Sequence, residues 1–310
     1  QSRSSAASDV YKRQARSWLM VLTLGLVWGA TFLVIELALA GVTPLWLATF
    51  RITFAMLLTL AIWGLRGFRL FLTDARPWGT LAAIGALSSA VPFMALSWGQ
   101  QYVTSGFAGV SMAAVALMVL PLAHFFVPGE RMHLRRAVGF AIGFVGVVVL
   151  IGGQAFVSSG AVQEPLGRLA CLSAAACYAV SSVTMRRLPP IDPIGLAAMP
   201  LIFGAAIVLP VAWAAEGPPP LPAPQTMAVL AFLGLVPTAG ANLLRVLVIR
   251  SAGPVFMSLT NYQVPLWSVL LGVVFLGEPA GASLLVALVL ILAGVLLSQW
   301  GALMRLFGRG

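Results

Sequence analysis

In 310 residues the chain carries 60% hydrophobic but only 8% charged side chains, with a net charge of +10. Soluble domains average roughly 25% charged residues, so composition excludes a water-facing globule, and the mean hydropathy of +1.01 agrees. The basic residues sit in short clusters between apolar runs, which excludes nucleic acid as the partner and marks them as topology signals.

A hydrocarbon core about 30 Å thick needs about 20 apolar residues per helix, so about ten helices fill this length. Residues 1–16 are polar and are expected to form a disordered or non-native tail. Apolar segments follow at 17–39, 45–65, 78–99, 102–126 and 135–153, and again at 167–187, 194–215, 226–248, 254–276 and 282–304. Gly, Pro and charged residues separate them, most visibly at 152–165 and in the proline run Pro218–Pro224. Residues 305–310 read as a cytoplasmic tail. Of the 18 Lys and Arg residues, 15 fall on one side of this arrangement, among them Arg13, Arg66, Arg135, Arg186 and Arg305. The other side carries Arg168, while Arg51 and Arg245 lie inside spans. Positive charge stays cytoplasmic, which predicts both termini inside and an even number of spans.

The two halves match weakly at an offset of about 150 residues. Trp28-Gly29-Ala30-Thr31 stands opposite Tyr178-Ala179-Val180-Ser181, Pro44 opposite Pro193, Gly129-Glu130 opposite Gly277-Glu278, and Gly146-Val147 opposite Gly294-Val295. The repeats are 17–157 and 165–304. Five spans is an odd number, so the second copy enters the membrane from the opposite side. The expected fold is therefore all-α, with two inverted five-helix repeats, an architecture that recurs in secondary transporters because two inverted copies can exchange conformations.

The residues also resemble a known family. Leu26-Val27-Trp28-Gly29, Pro44 with Arg51, the run from Ser258 to Pro265, Phe275-Leu276-Gly277-Glu278 and Pro128-Gly129-Glu130-Arg131 are similar to the EamA-type ten-span group of the drug/metabolite transporter superfamily. The resemblance implies a helical basket around a central cavity that moves small metabolites, commonly amino acids, outward across the inner membrane. The chain departs from that pattern at Leu117, where a proline is usual (Pro121 follows one turn later), and at Glu36, where many members carry lysine.

Charged or polar groups inside apolar spans are costly and are functional candidates. Glu36 and Arg51 are expected to pair and lock the ends of adjacent helices, with a substrate or proton role for Glu36 as the alternative. Arg245 shares a helical face with Asn242, and the two together suit a carboxylate; the alternative is snorkelling of Arg245 towards the cytoplasmic surface. Asn261, Tyr262 and Gln263 either line the cavity or pack between helices, and Pro265 releases a backbone carbonyl beside them. Trp28, Ser97, Trp98 and Gln101 offer an aromatic wall for flat substrates, with interfacial anchoring the competing role of Trp98 and Gln101. His124 and His133 read as packed or solvated, and Cys171 and Cys177 as free membrane thiols. No carboxylate pair, metal cluster, Walker loop or nucleophile elbow is present. The expectation is a transporter without enzyme activity, cofactor or metal, partnered by a small-molecule substrate and the lipid bilayer, monomeric or weakly oligomeric. Few buried acids favour facilitated diffusion or exchange over proton coupling. Import or exchange of another metabolite, or a non-transporting scaffold, are the alternatives.

Overall fold

The first Gly or Pro of the chain is Gly25, so nothing ahead of it interrupts a helix. Helix α1 accordingly runs Ser2–Leu39, and the polar segment expected to be a disordered tail instead extends the first span, whose apolar part is Arg16–Leu39. The computed structural model describes residues 2–127, 132–153, 162–252, 257 and 259–307. The Pro128–Arg131 motif and Ser258 lie outside them.

The remaining helices are α2 (Pro44–Leu65), α3 (Trp78–Gly99), α4 (Ser105–Phe126), α5 (Leu134–Gly153), α6 (Glu164–Arg186), α7 (Pro193–Glu216), α8 (Pro224–Ile249), α9 (Thr260–Leu276) and α10 (Ala282–Phe307). They take the places of the ten predicted spans. Among the described residues, eight are long and apolar enough to cross a membrane, with α9 apolar but shorter. Prolines 44, 193 and 224 open three of them, where a missing N–H costs nothing. Thr104 caps α4 by accepting from Phe107 N at 3.1 Å. Asp192 caps α7 by accepting from Ile194 N and Gly195 N at 2.9 and 3.0 Å.

Spans consecutive in sequence are not the main neighbours in space. α1 lies against α9, α2 against α7, α4 against both α6 and α9, and α5 along α10, while α1 and α2 share little contact. Each pairing has a counterpart after exchange of the repeats: α1 with α9 matches α6 with α4, and α3 with α6 matches α8 with α1. The fourth spans of the two repeats, α4 and α9, meet N-terminus to C-terminus, through Glu278 and Ser105. Large apolar side chains such as Leu19, Leu57, Phe144, Val274, Phe275 and Val289 remain exposed, as a lipid-facing surface requires.

The two ends of the bundle differ in charge. One collects Glu36, Glu164, Glu216 and Glu278, with Arg168 paired to Glu164. The other carries Arg66, Arg69, Arg76, Arg135, Arg136, Arg186 and Arg187. At this arginine end a short bridge between Phe71 and Ile191 joins the repeats, with Asp192 N donating to Leu70 O at 2.8 Å.

The seam between α5 and α10 is built on glycine. A Cβ added to Gly294 would lie 2.5 Å from Gly139 O and from Gly143 N, both backbone atoms. Gly294→Ala is therefore expected to force the two repeats apart and to cost about 1–3 kcal/mol, read as a lowered unfolding temperature in detergent. An unchanged temperature would mean that this seam is not close-packed.

Candidate functional site

α3 and α8, the third spans of the two repeats, each contain a wider π-helical stretch, Ala86–Ala90 and Gly234–Gly240. In α8 the cause is Pro237, which has no N–H to donate and crowds the carbonyl one turn before it. That carbonyl, Leu233 O, instead accepts from Thr238 Oγ1 at 2.8 Å.

Three of the sequence-predicted residues converge on the Pro237-Thr238 step. Trp28 Nε1, from α1, donates to Pro237 O at 3.0 Å. Arg51 Nε, from α2, donates to Thr238 Oγ1 at 2.9 Å, and Asn242 Nδ2 donates to Thr238 O at 2.6 Å. The guanidinium carbon of Arg51 stands 3.9 Å over the Phe93 ring of α3, and Tyr178 of α6 is its nearby phenol. Nε is the guanidinium nitrogen of Arg51 that finds an acceptor among the described residues, so two terminal nitrogens keep donor capacity. Four spans thus supply one buried cation and three aromatic rings around a single irregularity of α8, to which α8 itself adds the amide of Asn242. Such a set suits an anionic group joined to a flat or apolar body.

The expected pairing of Arg51 with Glu36 is not found. Arg51 turns to Thr238 and Phe93, whereas Glu36 Oε2 is buried without a hydrogen-bond partner. The reason is topological: α1 packs on α9 and α2 on α7, so neighbours in sequence do not present their side chains to one another. Arg245 is exposed. Asn261 is exposed, while Tyr262 and Gln263 are half-buried, with Tyr262 Oη and Gln263 Oε1 sealed off and unpartnered. Gln263 packs on Gly25 and Trp267 on Gly29, so that face of α9 meets α1. Pro265 is buried, and its carbonyl accepts from Ser268 Oγ at 3.0 Å. Ser97 is buried without a partner. Trp98 meets Tyr102 edge-on at 5.0 Å. Gln101, His124 and His133 are exposed, and both thiols are free.

At the glutamate end the Gly-Glu pair acquires a physical role. Gly277 takes a left-handed φ of 65° that ends α9, and Glu278 N folds back onto Gly272 O at 3.1 Å. The reversed chain aims the Glu278 carboxylate at the first turn of α4. There it accepts from Ser105 N at 2.7 Å, from Ser105 Oγ at 3.0 Å and from Gly106 N at 3.0 Å. Glu216 does the same for α2, accepting from Thr43 Oγ1, Leu45 N and Trp46 N at 2.6, 3.2 and 3.2 Å. In both ties a carboxylate of the second repeat holds the N-terminus of a first-repeat helix, where the helix dipole favours negative charge.

Residues 16–152 and 165–300 each match the EamA-like transporter family. The chain belongs to that family. The EamA-like chain is 30% identical over 285 residues to the uncharacterized inner membrane transporter YedA of Escherichia coli (strain K12), covering 91% of this chain and 90% of that one. An uncharacterized transporter of Archaeoglobus fulgidus is 28% identical over 138 residues, 44% of this chain and 47% of the relative. A solved crystal structure, 23% identical, aligns with a TM-score of 0.65 over 93% of this chain and 98% of the other, which speaks to the fold alone. This EamA-like protein is thus a multi-pass membrane transporter with two family repeats.

Thr238, Phe93 and Gln100 were not singled out in the sequence. Pro237 inside a predicted span was the one available signal for the first of them. Tyr178 stood out only as the repeat counterpart of Trp28.

Proposed function

We propose that this EamA-like transporter exports small amphipathic metabolites across the inner membrane, hydrophobic or aromatic amino acids first among them, by alternating rocking of two inverted repeats. The observation that carries the reading is the junction at Pro237-Thr238, where Trp28 and Arg51 of one repeat grip a helix of the other. A junction of this kind is held by single hydrogen bonds, one to a backbone carbonyl and one to a hydroxyl, so it can be exchanged for bonds to a substrate at small cost. Arg51 and Arg245 supply carboxylate recognition, and Trp28, Phe93 and Tyr178 supply apolar faces. The head-to-tail meeting of α4 and α9 supports inversion of the repeats. The name of the E. coli relative supports the inner membrane, and the arginine end is assigned to the cytoplasm on its charge, with both termini there.

The test is counterflow in proteoliposomes preloaded with a mixture of amino acids. Saturable exchange of a few hydrophobic species is expected. Arg245→Leu is expected to raise KM by about tenfold, the worth of one charge-assisted hydrogen bond of about 1.5–3 kcal/mol at an accessible site. Absence of exchange by folded wild-type protein for every amino acid offered would refute the substrate class.

A further inference from the structure

The glutamate end holds two buried acceptor atoms with nothing to accept from. Among the described residues Glu36 Oε2, in the last turn of α1, has no hydrogen-bond partner, and neither has Gln100 Oε1. Gln100 is 1% exposed, and its amide is fixed in place because Nε2 donates to Phe32 O at 2.9 Å. Phe32 O is the carbonyl one helical turn before Glu36, the position whose N–H it receives in an α-helix. The Gln100 amide therefore lies against the turn that Glu36 closes, and its oxygen is left over there. Two buried acceptor atoms served by one helical turn, each without a donor among the described residues, call for an added hydrogen.

The charges around Glu36 point the same way. α1 is packed against α9, α8, α4, α2 and the neighbouring end of α3. α9 offers Tyr262 and, just beyond its end, Glu278; α8 offers Arg245; α4 offers His124, exposed at the far end; α3 offers no charged group. α2 offers Arg51, which is committed to Thr238 and Phe93. Glu216 is committed to the start of α2. The charge that acts on Glu36 is the like charge of Glu278, itself held by three donors of α4. Among the described residues no cation is paired with either carboxylate.

We infer that Glu36 is a proton-binding site, its protonated Oε2 donating to Gln100 Oε1 while the glutamate ends of α1, α3, α4 and α9 are closed together. When that end opens, water reaches Glu36, the proton leaves and the carboxylate is repelled by Glu278; closing requires the proton to return. The bound species is the proton alone, one O–H bond forming on the carboxylate. The transporter is then shut at this end by acid on that side and released by alkali. The inference deepens the transport reading but does not depend on its substrate. It replaces the expectation of an uncoupled carrier, which rested on the scarcity of buried acids.

Two measurements on the full-length protein in nanodiscs decide it. Infrared spectroscopy near neutral pH is expected to show the carbonyl stretch of a protonated carboxylic acid, shifted in D2O, that Glu36→Gln removes. Gln100→Leu is expected to move its frequency. The second uses a native reporter, Cys171, which is buried beside Gly99, the residue before Gln100. In a Cys177→Ser background, maleimide labelling of Cys171 is expected to rise several-fold from acidic to alkaline medium, after correction against denatured protein. In Glu36→Gln it is expected to stay at the acidic level, because the amide is a permanent mimic of the protonated acid. A band absent from wild type, or unchanged in Glu36→Gln, overturns the site. A band that appears only when sodium is removed assigns a metal cation in place of the proton and overturns it equally. An identical labelling response in Glu36→Gln overturns the link to opening. None of these outcomes depends on which amino acid, if any, is exchanged.

Discussion

Arg51→Leu is expected to abolish counterflow while leaving a folded protein of undiminished stability, whereas Thr238→Val is expected to destabilise the fold. The asymmetry follows from who is left unpaired. Thr238 Oγ1 accepts from Arg51 Nε and donates to Leu233 O. Removing Arg51 leaves Thr238 still bonded to Leu233 O, and it also removes a charge whose burial in a membrane helix costs about 2.5–3.5 kcal/mol on insertion scales. Leucine fills apolar space beneath Phe93, and exchanging a buried ion for a hydrophobe of similar size is often neutral or favourable. Transport is another matter, because the guanidinium is the buried cation at the four-span junction. Loss of one partner from a desolvated charge contact costs about 2–5 kcal/mol, a fall in kcat/KM of about 30-fold or more. Thr238→Val instead orphans Arg51 Nε, at about 1–3 kcal/mol, and takes the hydroxyl away from Leu233 O. The double variant should recover much of that loss, because the orphaned charge is gone. Thermal unfolding in detergent and counterflow, read on the same preparations, separate the two effects. Wild-type exchange rates in Arg51→Leu would reduce Arg51 to a structural residue.

The span positions were legible in the sequence because apolar length is a strong signal, and eight of the ten predicted starts lie within three residues of the helix starts. The fourth span begins at Ser105 rather than at 102 because Thr104 provides the cap. The last turns before α9 cannot be compared, since 253–256 and 258 lie outside the described residues. Pairing between spans was not legible. The expected lock between Glu36 and Arg51 assumed that helices adjacent in sequence are adjacent in space, whereas α1 and α2 each find their main partner in the other repeat. The same exchange explains why Trp28 and Arg51, both singled out in the sequence, share a target on α8 that no local pattern could announce. A hydrogen bond spanning 209 residues, such as that of Trp28 to Pro237, leaves no trace in helical periodicity. The π-helical stretches in α3 and α8 were hidden for a related reason: a proline signals a freed carbonyl, but not the local widening of the helix that follows or the distant donors that gather on it.

Glu278→Ala is the substitution expected to harm the fold most. Its carboxylate receives two backbone N–H groups and one hydroxyl from Ser105 and Gly106, and both of those residues are buried. Water cannot replace the lost acceptor there, so two orphaned N–H groups at about 1–3 kcal/mol each add to the lost dipole interaction of about 0.3–1 kcal/mol. The sum is a large share of the roughly 5–15 kcal/mol by which proteins are stable. Glu278→Gln should fare better than alanine but worse than wild type, because its amide keeps one acceptor and turns an NH2 towards a donor. Glu216→Ala is the internal control. It removes the same number of hydrogen bonds from the start of α2, but Thr43 is exposed, so water can serve its freed hydroxyl and the loss should be smaller. Unfolding temperatures of the three variants in detergent should therefore fall in the order Glu216→Ala, Glu278→Gln, Glu278→Ala, from least to most damaged. Equal losses for the two alanine variants would mean that burial of the α4 terminus is not what makes the Gly-Glu turn costly to break. The explanation would then move to the left-handed turn at Gly277 itself, which Gly277→Ala would test with the carboxylate still in place.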